Sequence, residues 1–522
     1  MGLRSHRGAG RRRARLGRPD TVGLAVALYA TAGAAATWPA LKHADESFLA
    51  LAEPGHGEAA PGDHLQLTYQ LWLVGHRLAQ AATPWTDPYS FGGEGVTVLQ
   101  GWLFGLPLWP FFAAAGPEAA WNVLVLLSYP LAGCLAYGWL RSLGLPRGAA
   151  LAGGLVFAVF PYRVAQSTGH LLGPISALLP ATLWALERRR YVLAAAALAA
   201  IPLSGQLHLA LGAIPLAIAY GAVRGRWLGA AAAALPAIGA GLAVAQLTVE
   251  GSIAEQGRSL AAVSFFSPDW QDFLVRELRH PPPIGPEFAL FMGWVTPFAA
   301  LAGLVLLLRA RRYGLAGLLA GAVAVPVWLA LGTTLPTYEL LWEYVPGFGY
   351  PRVPERLMPI AGLAIGALVA FVVARRPRPA VVAAALVLIA LDLRIDAYGP
   401  AAADPDNRAY AALEGPVLEL PVFPADRHWN SVYLYYAMQQ PGERAGGYST
   451  TAPPGAARAL IQLTRANCGA ERPGGPIVLH EGLYRASPLI LPECLERVKA
   501  ALRRIGLRET ARDGPVALFT SP

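Results

Sequence analysis

The amino-acid sequence predicts an all-α polytopic membrane protein of about 11 transmembrane helices, followed by a small C-terminal extracytoplasmic α/β domain. Three observations predict this class. Only 14% of the 522 residues are charged, whereas ordinary soluble domains carry about 25%. The apolar residues come in runs of about 18 to 22, long enough to cross a bilayer as helices. Arginines cluster between these runs, as topology signals do.

The basic residues argue against a nucleic-acid partner, although the formal net charge is +9. Of the 42 basic residues only Lys42 and Lys499 are lysines, and the arginines flank apolar runs. This pattern is typical of loops beside a lipid bilayer. The three cysteines show no CxxC spacing, so they indicate no cysteine metal site.

The N-terminus, residues 1–20, is rich in arginine, with seven in its first 18 residues. An apolar run follows directly, so we predict an uncleaved signal anchor whose N-terminus stays in the cytoplasm. The positive-inside rule places the later arginine clusters on the same side, which requires two spans in each interval. Those clusters are at Arg141 and Arg147, Arg188 to Arg190, Arg224 and Arg226, Arg309 to Arg312, and Arg375 to Arg378.

The apolar runs supply these pairs and make residues 21–396 the predicted transmembrane domain. The predicted spans are 21–40, 119–140, 148–163, 170–186, 191–206, 208–223, 227–246, 288–308, 314–331, 357–374 and 380–396. The apolar segment 101–115 would reverse every later loop if it crossed the membrane. Because it is short and contains Pro107 and Pro110, we predict an interfacial or re-entrant element on the outer face.

Three outer segments, 42–118, 247–287 and 332–356, are longer than ordinary connections, and such loops are usually functional or disordered. Residues 397–522 form a less apolar tail that contains the strand-like runs GPVLELPVF and GPVALFT and the helical stretch CLERVKAALRRIGL. We therefore predict a small α/β domain outside the membrane. Cys468 and Cys494 lie in it, and a disulfide between them is compatible with an oxidising compartment.

The first outer loop contains the helical segment GDHLQLTYQLWLVGHRLAQ. At about 100° per residue Asp63, Gln66, Gln70 and Arg77 share one face. A carboxylate at the start of such a helix is favoured by the helix dipole. Asp63 is therefore a candidate for chemistry and Gln66 a candidate for substrate binding. The alternative is that Asp63 only caps the helix and that the polar stripe only faces water.

Two further outer segments carry candidate binding residues. His170 ends FPYRVAQSTGH, where polar groups lie at the depth of the outer headgroups; the alternative is a hydrogen-bonded residue at a helix end. Arg352 and Arg356, in the proline-rich loop VPGFGYPRVPERL, have planar guanidinium groups suited to phosphate oxygens. Their alternative is snorkelling towards phospholipid. Arg258 is a weaker candidate, since it could equally stabilise its own loop.

Together these residues resemble bacterial members of the GT-C superfamily of integral-membrane glycosyltransferases. The resemblance rests on the Gly-Asp start at Asp63, the stretch from Phe160 to His170, the loop from Pro346 to Arg356 and the later GPVLELP strand. It covers most of residues 20–396, and the nearest relatives are YfhO-like or mannosyltransferase-like proteins.

The resemblance implies transfer of a sugar from a polyprenyl-phosphate donor to a glycan or lipid acceptor at the outer face of the plasma membrane. It implies that a carboxylate of the first outer loop acts as general base or helps to bind a divalent metal. Asp63 is the predicted base, and the acidic pair Asp45 and Glu46, close after the first span, is its rival. Arg352 and Arg356 would hold the donor phosphate. A divalent metal is left open, and no other cofactor is predicted.

Two other functions fit the same features. A transporter or flippase of a lipid-linked or polar solute is expected to show repeated halves and ionisable groups near the bilayer midplane. The sequence shows no such repeat, and its charged groups lie at the outer edge. The third hypothesis is a non-catalytic GT-C-like scaffold whose outer domain binds an envelope partner.

Overall fold

The structure is a computed structural model that describes residues 19–282, 284–345, 347–470 and 474–521. The seven arginines of the predicted cytoplasmic N-terminus lie outside these residues. The described chain is mostly helical. Residues up to 396 contain sixteen α-helices in that part: α1 Pro19–Ala36, α2 Asp63–Ala79, α3 Trp102–Ser142, α4 Arg147–Ala158, α5 Pro161–Gln166, α6 Leu172–Ile175, α7 Leu178–Glu187, α8 Tyr191–Leu203, α9 Leu207–Val223, α10 Trp227–Thr248, α11 Leu260–Phe266, α12 Thr296–Arg309, α13 Tyr313–Ala330, α14 Thr337–Tyr344, α15 Met358–Val373 and α16 Pro379–Asp392.

Four described helices are long and apolar enough to cross a membrane, and seven shorter apolar helices of 10–17 residues accompany them. The four are Trp102–Ser142, Trp227–Thr248, Tyr313–Ala330 and Pro354–Val373. Most apolar runs form helices where the sequence predicts them, but the helix predicted at 288–308 begins only at Thr296, and the one predicted at 170–186 is divided between α6 and α7. The count of about 11 crossings and the direction of each stay predictions.

The predicted helix 148–163 ends early, at Ala158 in α4, and a new helix begins at Pro161. Proline has no N–H for the helical hydrogen bond and is favoured in a first turn, so it separates the two helices. The predicted interfacial segment 101–115 is also helical. It forms the first part of α3, which is interrupted at Gly116, where φ is +83°.

The centre of the helical part is α15, which packs against α4, α12 and α13. Glycines allow the close approach of α4 and α15. A Cβ added at Gly153 would come within 2.5 Å of the carbonyl oxygen of Gly366. Small residues at such contacts are typical of membrane helix pairs, because association there depends on close packing.

The region after α16 contains five helices and a four-stranded sheet with strand order β5-β6-β8-β7. The helices are α17 Arg408–Ala411, α18 Ser431–Gln439, α19 Pro454–Leu463, α20 Glu481–Ala486 and α21 Cys494–Arg504. The strands of the whole described chain are β1 Ser47–Ala50, β2 Thr86–Asp87, β3 Val96–Thr97, β4 Gly399–Ala402, β5 Leu418–Leu420, β6 Ile477–His480, β7 Arg508–Asp513 and β8 Val516–Thr520. Strands β5 and β6 are parallel, and the other two pairings of this sheet are antiparallel.

The C-terminal region is tied to the first outer loop. Strands β1 and β4 pair antiparallel, with Ser47 opposite Ala402 and Ala50 opposite Gly399. A buried hydrogen bond of 2.8 Å also joins Tyr435 in α18 to the carboxylate of Glu118 in α3. Cys468 and Cys494 form a disulfide. The loop 42–118 and the region 397–522 are thus packed together, while their position outside the membrane stays a prediction.

Candidate active site

Asp63 is the first residue of α2, and its carboxylate is held by two side chains distant in sequence. The Tyr448 hydroxyl donates a hydrogen bond of 2.6 Å to Oδ1, and Nε2 of His170 lies 3.0 Å from Oδ2. No side-chain cap is formed at this end of α2. The alternative in which Asp63 serves only as a helix cap is therefore wrong, because its oxygens bond other segments.

The environment of Asp63 favours its ionised form. Burial, the largest influence, acts to raise the pKa of this carboxyl, but the hydrogen bonds and charge of its neighbours, above all His170, outweigh it. The net result is a pKa well below the usual range of aspartate. Asp63 is thus a carboxylate that can accept a proton.

His170 lies between two carboxylates. Its Nε2 atom is 3.0 Å from Asp63 and 3.7 Å from Oε1 of Glu287. Its other ring nitrogen, Nδ1, is buried and has no hydrogen-bond partner in the described chain. The ring therefore connects the first outer loop to the segment that precedes α12.

Glu287 is the residue that the sequence analysis missed. Its side chain is 4% exposed and accepts hydrogen bonds from Tyr162 at 3.1 Å and Gln166 at 2.8 Å. It also pairs with Arg356. Burial, the largest influence, acts to raise its pKa, but Arg356 and His170 lower it to about 2. The signal that could have found it is an acid at the outer end of a predicted span.

The three predicted arginines differ in their partners. Arg356 is paired with Glu287, whereas Arg258 and Arg352 have no carboxylate within 4.0 Å in the part of the chain that is described. Arg258 donates to the carbonyl oxygen of Thr450 at 2.9 Å, and the Arg352 guanidinium lies over the Phe266 ring at 5.2 Å. Burial first, and then the charge of Arg352, lower the pKa of Arg258. Positive charge is in excess here, as an anion site requires.

These groups line one cavity of about 750 Å³, counting its open mouth, which we call the charged cavity. Its lining contains Asp63, Gln66, His170, Arg258, Arg352 and Arg356. The structure thus brings together all the predicted residues except the rival pair. Asp45 and Glu46 are exposed just before β1 and do not line the charged cavity. The pairing of β1 with β4 fixes the position of this exposed turn on the protein surface.

A larger open cavity, of about 1110 Å³, shares Asp63, His170 and Arg352 with the charged cavity. Its remaining wall is partly apolar, with Phe265, Phe266 and Ile284; Phe265 is 62% exposed. We call it the aromatic cavity. It places apolar surface directly beside the unpaired guanidinium group of Arg352.

A divalent metal finds no ready site here. No group of three or more histidine, cysteine, aspartate or glutamate side chains within the described residues is arranged to hold a metal ion. Glu287 is already engaged by Arg356, and His170 directs one nitrogen at both carboxylates. The residues present do not fit such an ion, and we derive no step through one.

Comparison with known proteins gives the fold. No protein-family model matches the sequence, and neither does any curated protein. The structure is similar to that of the arabinofuranosyltransferase AftD from Mycobacteria, with a TM-score of 0.53 and 15% identity over 97% of this chain. The chain spans 40% of that protein's length.

Two more solved structures match with lower TM-scores, and we draw no conclusion about this chain from them. The oligosaccharyltransferase from Archaeoglobus fulgidus gives 0.49, with 13% identity over 91% of this chain and 72% of that one. ArnT from Cupriavidus metallidurans gives 0.39, with 12% identity over 96% of both chains.

The chain thus has the GT-C fold, and its long apolar helices support a location in a membrane. The resemblance predicted from the sequence is therefore confirmed at the level of the fold.

Proposed function

We propose that this chain is a membrane glycosyltransferase that moves a sugar from a polyprenyl-phosphate donor to a glycan or lipid acceptor of the cell envelope. The reaction takes place at the outer face of the plasma membrane, with the N-terminus in the cytoplasm and residues 397–522 outside. The observation that carries this proposal is one cavity that holds an ionised carboxylate, Asp63, together with two guanidinium groups, Arg258 and Arg352, that have no acidic partner in the described chain.

In the proposed reaction Asp63 accepts the proton of an acceptor hydroxyl. The hydroxyl oxygen forms a bond to the anomeric carbon of the donor sugar, while the bond from that carbon to the phosphate oxygen breaks. The electron pair of the broken bond leaves with the polyprenyl phosphate. His170 and Tyr448 orient the carboxylate through their hydrogen bonds. A positioned general base contributes about 10² to 10⁴ in rate, most when its pKa is near the working pH.

The negative charge that develops on the leaving phosphate needs nearby cations in a place of low water content. We assign Arg352 and Arg258 to this role, because both are free of carboxylates in the described residues and both line the charged cavity. Arg356, which the resemblance implied for the phosphate, is neutralised by Glu287 and instead positions His170 through that carboxylate. The aromatic cavity supports a lipid donor, since apolar surface adjoins the cation.

The test uses the purified protein in lipid nanodiscs with a panel of labelled polyprenyl-phosphate sugars and extracted envelope glycans and lipids as acceptors. We expect transfer from at least one donor by the wild type. We expect Asp63→Asn to reduce transfer by about 1000-fold, because the proton acceptor is lost while the shape of the side chain is kept.

Asp45→Asn is the matched control, since it makes the same change at an exposed acid of the same loop. It should leave transfer unchanged. Loss of activity in Asp45→Asn but not in Asp63→Asn would assign the base to the rival pair. A wild type that transfers sugar from no donor would refute the proposed function.

A further inference from the structure

A second polar cavity, of about 810 Å³, adjoins the charged cavity and has a different character. It is lined by residues of α2, of the β2–β3 hairpin and of the C-terminal region. Among its described lining residues only Asp87 is charged, and most others are amides, hydroxyl groups or small apolar side chains. We call it the neutral cavity. Because its described lining has no basic residue, it provides no positive charge for a phosphate.

Gln70 in this wall has an unused hydrogen-bonding group. The side chain is 7% exposed, and its buried Oε1 atom has no partner in the described chain. A buried amide oxygen without a partner destabilises a folded protein, so such an atom is expected to meet a ligand or water. Gln70 lines the neutral cavity, where a hydroxyl group could donate to it.

Asp87, the one charged residue of this wall, is organised as an acceptor. Its Oδ1 atom accepts from the Tyr69 hydroxyl at 2.6 Å and from the backbone N–H of Tyr89 at 2.9 Å. Its Oδ2 atom accepts from the Ser90 hydroxyl at 2.7 Å. A carboxylate fixed in this way repels an anionic ligand and can accept further hydrogen bonds from neutral hydroxyl groups.

The neutral cavity shares part of its wall with the charged cavity. Gln66, Gln100 and Tyr448 line both. Gln66 donates to the Tyr448 carbonyl oxygen at 2.7 Å, and the hydroxyl of the same tyrosine bonds Asp63. A ligand in the neutral cavity therefore contacts Tyr448 and lies on the same side of Asp63 as this tyrosine.

We propose that the neutral cavity binds an uncharged saccharide, and that this saccharide is the acceptor. The amide and hydroxyl groups match the hydroxyl groups of a sugar, and the lack of cations separates this cavity from the phosphate-binding one. The role as acceptor rests on the proposed function, since it requires Asp63 to take a proton from the bound sugar. Of the two acceptor classes left open above, the cavity favours a glycan over a lipid.

The binding test uses the full chain in nanodiscs and saturation-transfer NMR with methyl glycosides of mannose, glucose and galactose, each paired with the methyl glycoside of its uronic acid. We expect at least one neutral glycoside to bind about 10-fold more tightly than its uronide, because the carboxylate of Asp87 repels the acid. Gln70→Leu should weaken binding of the neutral glycoside by about 10-fold.

Gln462→Leu is the matched control, because Gln462 is exposed in α19 and away from the cavity. It should bind as the wild type does. In the described chain Gln70 forms no side-chain hydrogen bond that the leucine would remove. Wild-type binding by Gln70→Leu, or no binding of any neutral glycoside to the wild type, would overturn the proposal.

Transfer kinetics separate this proposal from the proposed function. Gln70→Leu should raise the acceptor KM by about 10-fold and leave the donor KM unchanged. If Gln70→Leu is active with an unchanged acceptor KM, the proposed saccharide site is refuted and the proposed transferase function still stands. If glycoside binding depends on Gln70 but the protein transfers no sugar, the site stands and the transferase function is refuted.

Discussion

Two of the described pairs between a carboxylate of the first outer loop and a histidine are close, at 3.0 Å or less, and they have opposite surroundings. Asp63 and His170 lie 3.0 Å apart with side chains 17% and 16% exposed, at the wall of the charged cavity. Glu58 and His480 lie 2.6 Å apart and are fully buried. The first pair has access to a ligand. The second has none and can only connect the parts of the protein that it joins.

Every side-chain oxygen and nitrogen of the buried pair itself has a hydrogen-bond partner. Glu58 also accepts from the backbone N–H of Gly482 at 2.6 Å, and His480 contacts the Tyr410 hydroxyl at 2.9 Å. That hydroxyl and Arg444 both bond Glu419, at 2.8 and 3.0 Å. The comparison teaches that an acid–histidine pair indicates chemistry only where a cavity and unpaired groups adjoin it.

The largest expected effect concerns the buried pair. Glu58→Leu should lower the free energy of unfolding by about 3 kcal/mol, because His480 loses its carboxylate in a place without water. Thermal or denaturant unfolding in nanodiscs measures this. Glu46→Leu, at an exposed acid of the same loop, should change stability by less than about 0.5 kcal/mol. Equal stability of the two variants would contradict a structural role for Glu58.

The next effect concerns Arg258 and Arg352, whose guanidinium groups line the charged cavity together with Asp63 and His170. Arg352→Ala should raise the KM for the donor by about 10-fold with a smaller change in kcat, because a charge-assisted contact to the phosphate is lost. Steady-state transfer assays measure it. Arg458→Ala is the control, since Arg458 is exposed in α19 and lines neither the charged nor the aromatic cavity; its donor KM should stay at the wild-type value. A donor KM that stays unchanged in Arg352→Ala argues against phosphate contact.

The smallest effect is a shift in pH dependence. A base works above its pKa, so the lowered pKa of Asp63 keeps the enzyme active at acidic pH. His170→Gln removes the main influence that lowers this pKa and leaves burial, which raises it. The acid limb of kcat/KM should therefore move to higher pH. The control is His43→Gln, at an exposed histidine, whose pH profile should match that of the wild type. If the acid limb of the His170→Gln profile does not move, His170 does not control the pKa of the base.

The sequence predicts the helices well, because apolar runs of membrane length have few other ways to satisfy their backbone. It also points to Asp63, His170 and Arg352, since polar residues at the ends of such runs are costly and conspicuous. It could not choose between Asp63 and the pair Asp45 and Glu46. That choice depends on how the loop folds, and the partner of β1 is a strand some 350 residues later.

Glu287 and Tyr448 were missed for the same reason. Each is one polar residue in a segment with no pattern of its own, and each reaches the site only through tertiary packing. Glu287 meets His170 and Arg356, and Tyr448 meets Asp63 from a position 385 residues away. Local periodicity contains no information on contacts of this range.

The hydrogen bond from Tyr448 to Asp63 has a consequence for biosynthesis. The helix that carries the proposed base is made early, but the side chain that orients its carboxylate is translated only after the last apolar helix. During synthesis the nascent protein can therefore insert into the bilayer while its reaction centre is still unassembled. A polypeptide that ends before residue 448 would contain the apolar helices but lack the hydroxyl group that holds the proposed base.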